Sequence, residues 1–374
     1  MRPRYPWDGR HVCRFLGMPS PWPHYDFVVY LPTEDLEMSL TRPALVTLIS
    51  MLGAVAWAAT HAQSGVSKEA PRSQKVIIDT DIGGDIDDAF AVALALQSPE
   101  FSILGITTAT GDTTMRARLV TRLLNETGRS DIPVAAGIPT RMKKTTPGPE
   151  DEDNIRGQLR YGLRTPAQAY PDAVNFILEQ IRQSPGEITL ITIGPLTNIG
   201  AAIDRDAVTF RKIKRVVLMG GSVYLGYDQI RYVKHPQPSA EYNIAADASA
   251  AQKLFTSGVP LYVLPVDSTQ IKLEELNRAQ ILTHGTPLTD ALALLYLQWS
   301  GGSEATPTLY DAMAVTYALA PELCPMTALR LRVDDQGFTR IDQGEFNAQV
   351  CLHSDWQKFY DFYIPRVTGP PLKP

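Results

Sequence analysis

Several things are scarce in this chain of 374 residues, and each scarcity narrows what it can be. Basic residues are not in excess: 35 Lys and Arg stand against 40 Asp and Glu, for a formal charge of −5. The electrostatic footprint of a nucleic-acid partner is therefore missing. Long apolar runs are missing too. The most apolar stretch, Ala44 to Ala59, falls short of the roughly 20 residues that cross a bilayer. No internal repeat or low-complexity tract occurs. Cysteine is rare, with three in all. Cys13 lies in an atypical first segment, while Cys324 and Cys351 either pair in an oxidising compartment or remain two buried free thiols. A hydrophobic share of 44% is that of a globular chain with a sizeable core.

The first segment reads unlike the rest. Residues 1–37 carry Pro6-Trp7, Pro21-Trp22-Pro23 and scattered aromatics without helical or strand periodicity. From Met38, the sequence Met38-Ser39-Leu40-Thr41-Arg42 leads into the apolar stretch, which exits through Ala56-Trp57-Ala58-Ala59-Thr60-His61-Ala62. A basic start, an apolar run and a small-residue exit have the form of a secretory signal. We read Met38 as the native start, residues 1–37 as a leader outside the native product, and residues 38–62 as a signal peptide. An uncleaved N-terminal anchor is the alternative, and the sole route to membrane contact. Both readings place residues 73–374 in the periplasm or outside the cell.

From about Ser73 to Ile364, strand-like runs alternate with helical patterns. Val76–Ile78 leads to a helix at Ala89–Gln97, Ile103–Thr107 to a helix at Met115–Glu126, and Ile188–Ile193 to a helix at Leu196–Ile203. Short strands are expected at Pro133–Ala136, Val216–Met219 and Val259–Pro265, with a polar loop over residues 142–163. This alternation predicts one α/β domain: a single open, mostly parallel, Rossmann-like sheet flanked by helices. Ligands of such sheets bind beyond the carboxyl ends of the strands.

The densest chemistry sits at the first of those ends. Asp79-Thr80-Asp81-Ile82-Gly83-Gly84-Asp85-Ile86-Asp87-Asp88 packs five carboxylates into ten positions between a β-branched run and a helix. Helix capping accounts for one or two of these acids but not five. Their mutual repulsion calls for a cation, and an all-oxygen donor set suits a hard one such as Ca²⁺ or Mg²⁺. Four further segments follow in order. Ile193-Gly194-Pro195-Leu196-Thr197-Asn198 offers a strand-end carbonyl, and Met219-Gly220-Gly221 lets a ligand approach the backbone. Glu241-Tyr242-Asn243 leads to Asp247, read as a helix cap, and Thr308-Leu309-Tyr310-Asp311 heads an apolar helix.

Together these segments resemble the nucleoside hydrolase family of the inosine–uridine-preferring type, from Lys75 to the helix after Asp311. The resemblance implies one Ca²⁺ held by Asp81, Asp88, the carbonyl of Ile193, and Asp311. It implies Asp81 as the general base acting on water. Asp87, Glu241 and Asn243 would meet the ribose hydroxyls, with Met219 near the 5′ end and Asp112 in the substrate pocket. The common motif lacks two residues present here, so Asp85 competes for a ligand role. Cleavage of an N-glycosidic bond builds positive charge on the sugar, which a carboxylate-rich pocket stabilises.

Assistance to the departing base is where the chain leaves the family pattern. Tyr310 stands where pyrimidine-cleaving members have histidine, and Asp112 where many have asparagine. Both substitutions are similar to the purine-preferring branch, in which stacking on the purine takes over from a general acid. His235 is the other candidate acid. Arg156, Arg160 and Tyr161 belong either to a lid or to a solvated loop. The expected partners are a nucleoside substrate and further copies of the chain, as a dimer or tetramer, with no nucleic acid. Two other readings stand beside the hydrolase. One is a haloacid-dehalogenase-like phosphatase, prompted by Asp79-Thr80-Asp81. The other is an exported nucleoside- or ribose-binding protein without turnover.

Overall fold

The computed structural model describes residues 73–140, 157–227 and 237–372. The leader, the signal segment, His235 and Asn154–Arg156 lie outside the described residues. Among the described residues no helix is long and apolar enough to cross a membrane.

β1 (Gln74–Thr80) leads through the acidic segment into α1 (Asp87–Leu96), and β2 (Phe101–Thr108) into α2 (Thr113–Glu126). β3 (Val134–Ala136) is followed by the short α3 (Leu159–Gly162) and by α4 (Ala173–Gln183). β4 (Thr189–Thr192), α5 (Thr197–Phe210) and β5 (Arg215–Met219) continue the alternation. Next come α6 (Tyr242–Ala246), α7 (Ala248–Phe255), β6 (Leu261–Leu264), α8 (Val266–Thr269), α9 (Glu275–Leu282), α10 (Pro287–Ser300) and α11 (Tyr310–Leu319). The last part contains β7 (Met326–Leu329), a hairpin of β8 (Leu331–Val333) and β9 (Thr339–Ile341), β10 (Ala348–Cys351) and α12 (Trp356–Val367).

Eight strands form one open sheet in the order β3-β2-β1-β4-β5-β6-β10-β7. Every neighbouring pair is parallel except β10 with β7 at the edge. The expected α/β class is therefore the observed one. The chain winds outward from β1 through β2 to β3, then returns to lay β4 against the other side of β1. That reversal opens a crevice between the carboxyl ends of β1 and β4, the place where open α/β sheets bind ligands.

Both faces of the sheet are covered. Val76 and Ile78 on β1 pack with α1 and α11 in one core, while Ile77 turns to a second core with α4 and α5. α1 is alanine-rich and buried along its whole length, so helix propensity and burial act together. Phe90 and Leu94 in its middle each contribute about 1.5–3 kcal/mol by leaving water. The consequence for function is rigidity: a fully enclosed α1 fixes the position of Asp87 and Asp88 in its first turn.

The two cysteines left open by the sequence form a disulfide. Cys324 and Cys351 are both fully buried, with Cα atoms 5.7 Å apart and a sequence separation of 27. The bond ties the end of β10 to the segment after α11. Cross-linking a loop of this length stabilises by about 3–4 kcal/mol in the chain-entropy treatment. Removing it by Cys324→Ala with Cys351→Ala is expected to lower the denaturation midpoint by a comparable free energy. An unchanged midpoint in urea would count against that contribution.

Candidate active site

The acidic segment turns beyond β1 into a cavity of about 770 Å³. Asp81, Asp87, Asp88, Ile193, Met219, Glu241, Asn243, Tyr310 and Asp311, all expected at the site, line it together. They come from the carboxyl ends of β1, β4 and β5, and from the first turns of α1, α6 and α11. Chain segments more than 200 positions apart meet here: the backbone N–H of Asp311 donates to Oδ2 of Asp87 over 3.4 Å.

Asp87, Asp88 and Asp311 each present an oxygen within 4.8 Å of the others, so this trio could hold a metal ion. The expected set has Asp81 with Asp88 and Asp311, and Asp81 lines the same cavity. Asp87 and Asp88 are consecutive at the head of α1 beside the head of α11, whereas Asp81 precedes the glycine turn and lies against β4. The Thr80 hydroxyl donates to Asp88 and accepts the N–H of Ile82 at 3.1 Å, which fixes the start of the turn.

The electrostatics fit a cation. Burial pushes the carboxyls of Asp87, Asp88 and Asp311 well above their ordinary range, and repulsion from neighbouring carboxylates, Asp81 among them in each case, pushes further. Asp81 is raised to about 6 by burial, against the opposing pull of Arg116. Beneath it Asp79 is raised to about 7 by burial, although Thr107 donates to its carboxylate and Asn198 donates at 2.8 Å. A set of enclosed oxygen donors that resists ionisation by itself could be completed by a metal ion.

Asp81 is held from two sides. Arg116, fully enclosed, donates through Nη1 to the carbonyls of Asp81 and Ile82 (2.9 Å to the latter), and through Nε to the carbonyl of Thr110 at 2.7 Å. On the other side Gly194 touches it so closely that a Cβ there would lie 2.8 Å from the Asp81 nitrogen and 2.9 Å from its Oδ1. Gly194→Ala is therefore expected to displace Asp81 and lower kcat at least about tenfold, since misplacement by an ångström is enough for such losses. Wild-type rates in this variant would remove the constraint.

Two of the expected substrate contacts also cap helices. Glu241 caps α6: its oxygens accept from the N–H groups of Asn243 (3.0 Å), Ile244 (3.2 Å) and Gly221 (2.9 Å), and from the Tyr227 hydroxyl (3.2 Å). It lines the cavity while organising the strand end opposite. Asp112 is exposed and is not among the residues that line the cavity. Thr110 and Gly111 both adopt left-handed backbone (φ 65° and 64°), and this turn directs Asp112 to cap α2 through the N–H of Met115 at 2.9 Å. Asn243 donates to the carbonyl of Met219 at 3.1 Å, and Asp247 caps α7 as expected.

The sequence did not single out Arg116, Tyr227 or Lys272, and it quoted Asn198 and Thr308 only as members of longer segments, without a task of their own. Tyr227 meets Tyr310 edge-on, with ring centroids 5.9 Å apart, so two aromatics border one side of the cavity. Gln158, the residue before α3, donates to the carbonyls of Gly84 (3.0 Å) and Asp85 (2.8 Å), bracing the middle of the acidic segment. Tyr161 on α3 is fully buried, stacked under Arg122 and bonded to Glu126, which makes it a structural residue rather than part of a lid.

Comparison with known proteins bears on this geometry. The chain matches the family model described as inosine-uridine preferring nucleoside hydrolase over residues 76–361. It is 31% identical over 304 residues to a probable uridine nucleosidase 2 of Oryza sativa subsp. japonica, covering 77% of this chain and 87% of that one. It is 32% identical over 321 residues to the pyrimidine-specific ribonucleoside hydrolase RihA of Citrobacter koseri, covering 78% and 97%. Among solved structures it is similar to the plant nucleoside hydrolase PpNRh1 (TM-score 0.68, 27% identity, 80% of this chain and 100% of that). A purine-preferring ribonucleoside hydrolase from Gardnerella vaginalis is also similar (TM-score 0.66, 25% identity, 79% and 98%).

Proposed function

The chain belongs to the inosine–uridine preferring nucleoside hydrolase family, and on that premise we propose that it is a calcium-dependent ribohydrolase with a preference for purine nucleosides, acting in the periplasm or outside the cell. The observation that carries this reading is the buried, oxygen-only carboxylate group in the crevice between β1 and β4, open to a nucleoside-sized cavity. Asp88, Asp311 and the Ile193 carbonyl, with Asp81 or Asp87, are the residues that would hold the ion. Calcium, when bound there, supplies charge compensation for the carboxylates and fixes a water and the ribose diol.

The chain's own residues account for the rest. Asp81 takes a proton from the attacking water. Asp87 and the free carbonyl end of the Asn243 amide face the ribose hydroxyls. Enclosed carboxylates stabilise the positive charge that develops on the sugar. The tyrosine pair Tyr227 and Tyr310 offers an apolar, aromatic border for the base, and this favours a purine with its larger π-face. A second reading, uridine as the better substrate, is favoured by the names of the relatives above 30% identity. Export is supported by the buried disulfide, a bond that persists in oxidising compartments.

The test is release of reducing sugar from inosine, guanosine, adenosine, uridine and cytidine, with calcium and with chelator. Calcium-dependent release, faster from purines, is the expected result. Faster release from uridine overturns the purine preference alone. Tight binding of nucleoside without release moves the protein to the binding class.

A further inference from the structure

We infer that the cavity selects for ribonucleosides whose base carries a fixed positive charge, such as an N7-alkylated purine; the inference rests on the reading of the chain as a nucleoside ribohydrolase. Behind it stands a corner of two tyrosines set in an acidic wall. The ring planes of Tyr227 and Tyr310 lie at 85° with centroids 5.9 Å apart, and both residues line the cavity. Aromatic cages hold organic cations between rings of this kind, through attraction to the negative ring face.

The ring of Tyr227 is locked in place. Its hydroxyl donates to Oε1 of Glu241 at 3.2 Å and accepts the N–H of Tyr242 at 3.0 Å. The phenolic hydrogen is thus committed to a buried carboxylate. What Tyr227 offers a bound base is its π-system, made richer in electrons by the carboxylate that accepts that hydrogen.

The ionisable groups around the corner are acids. Asp81, Asp85, Asp87, Asp88, Glu241 and Asp311 line the cavity, and among the described residues no lysine, arginine or histidine does. Two cations act on these acids from outside the lining, and both are engaged elsewhere. Arg116 donates to the carbonyls of Asp81, Ile82 and Thr110, and Lys272 donates to Oγ1 of Thr308 at 3.0 Å. A divalent ion would offset only part of the acid. A cationic ligand is therefore drawn in ahead of a neutral one of the same shape.

The same lining bears on departure of the base. A neutral base needs a proton as it leaves, and the described lining holds no histidine or lysine to give one. A cationic base needs none. As the C1′–N bond breaks, its electron pair passes to the base nitrogen and cancels the charge there. The water oxygen bonds to C1′, while Asp81 takes one water proton and passes it to solvent. The sum is cationic nucleoside plus water giving ribose, neutral base and one proton.

The experiment compares guanosine with 7-methylguanosine, a pair that differs by one methyl group and its positive charge. Uridine is included because its turnover reports on the hydrolase reading separately. At pH 6, where the methylated base is cationic, its KM is expected to be roughly 2–30-fold below that of guanosine. If guanosine binds without turnover, its inhibition constant takes the place of KM. The kcat should be at least about tenfold higher, since no general acid is required. Tyr310→Phe keeps the ring and should keep the KM difference, whereas Tyr310→Leu should shrink it to within about twofold. A KM for 7-methylguanosine equal to or above that of guanosine in the unmodified protein overturns the inference, whatever the variants do. So does a difference that survives Tyr310→Leu. In either case turnover of guanosine or uridine leaves the hydrolase reading standing. Ribose release from none of the three overturns that reading, and the inference with it.

Discussion

Asp81→Asn is expected to lower nucleoside turnover by about 10³-fold while leaving the protein folded. Asparagine preserves the volume of the side chain between Arg116 and Gly194, so packing at the end of β1 is retained. What it removes is the proposed acceptor for the water proton and one carboxylate of the site. Loss of a positioned base alone accounts for about 10²–10⁴ in rate. Stability should hold or rise, because burial already disfavours an ionised carboxylate at this position. The two effects together distinguish a catalytic group from a structural one. A single-turnover assay of ribose release with a thermal melt of the same preparation measures both. Turnover within tenfold of the unmodified protein would deny Asp81 the role of base.

The second large effect is expected when the divalent ion is removed at different pH. Burial raises Asp79 from 3.8 to about 7 and Asp81 from 3.8 to about 6, so in the metal-free state the folded protein holds these protons more tightly than the unfolded chain does. Stability from this source is complete below about pH 4, declines as pH rises, and is lost above about pH 7. Asp87, Asp88 and Asp311 shift in the same direction and reinforce the trend. The chelated protein should thus melt at a lower temperature at pH 8 than at pH 5. On the proposed reading calcium binds the ionised carboxylates, so it should add little at pH 5 and several degrees at pH 8. At a hundredfold excess over its dissociation constant it contributes about 2.7 kcal/mol. Differential scanning calorimetry at the two pH values, with calcium and with chelator, measures this. A chelated protein equally stable at both would contradict the electrostatic account of the carboxylate group.

Much of this molecule is written in short stretches of sequence. A β-branched run followed by acids and glycines specifies strand, turn and helix start in consecutive residues, and the same holds for the ends of β4 and β5. Local periodicity and turn chemistry therefore located the first six strands and the starts of three helices to within a few residues, along with the parallel class of the sheet. The pairing of strands follows from right-handed crossovers, which leave few arrangements open to an alternating chain. The carboxylate cluster was legible for the same reason: four of its members are spaced within one turn between β1 and α1.

What the tertiary structure decided is direction and distance between remote segments. A sequence position does not state where a side chain points. Asp112 sits in the expected strand-end loop, yet two left-handed residues turn it outward, and Arg116 one helical turn later reaches inward in its place. Glu241 stands in the expected motif, but backbone N–H groups of α6 and of Gly221 converge on it. The disulfide and the Lys272–Thr308 contact depend on separations that only packing sets. The sequence by itself determined the elements, the sheet class and the residue types of the site, because these follow from local propensity and contiguous motifs. The fold alone decided which of those residues share a cavity, since that depends on long-range packing whose energy is spread over the whole core.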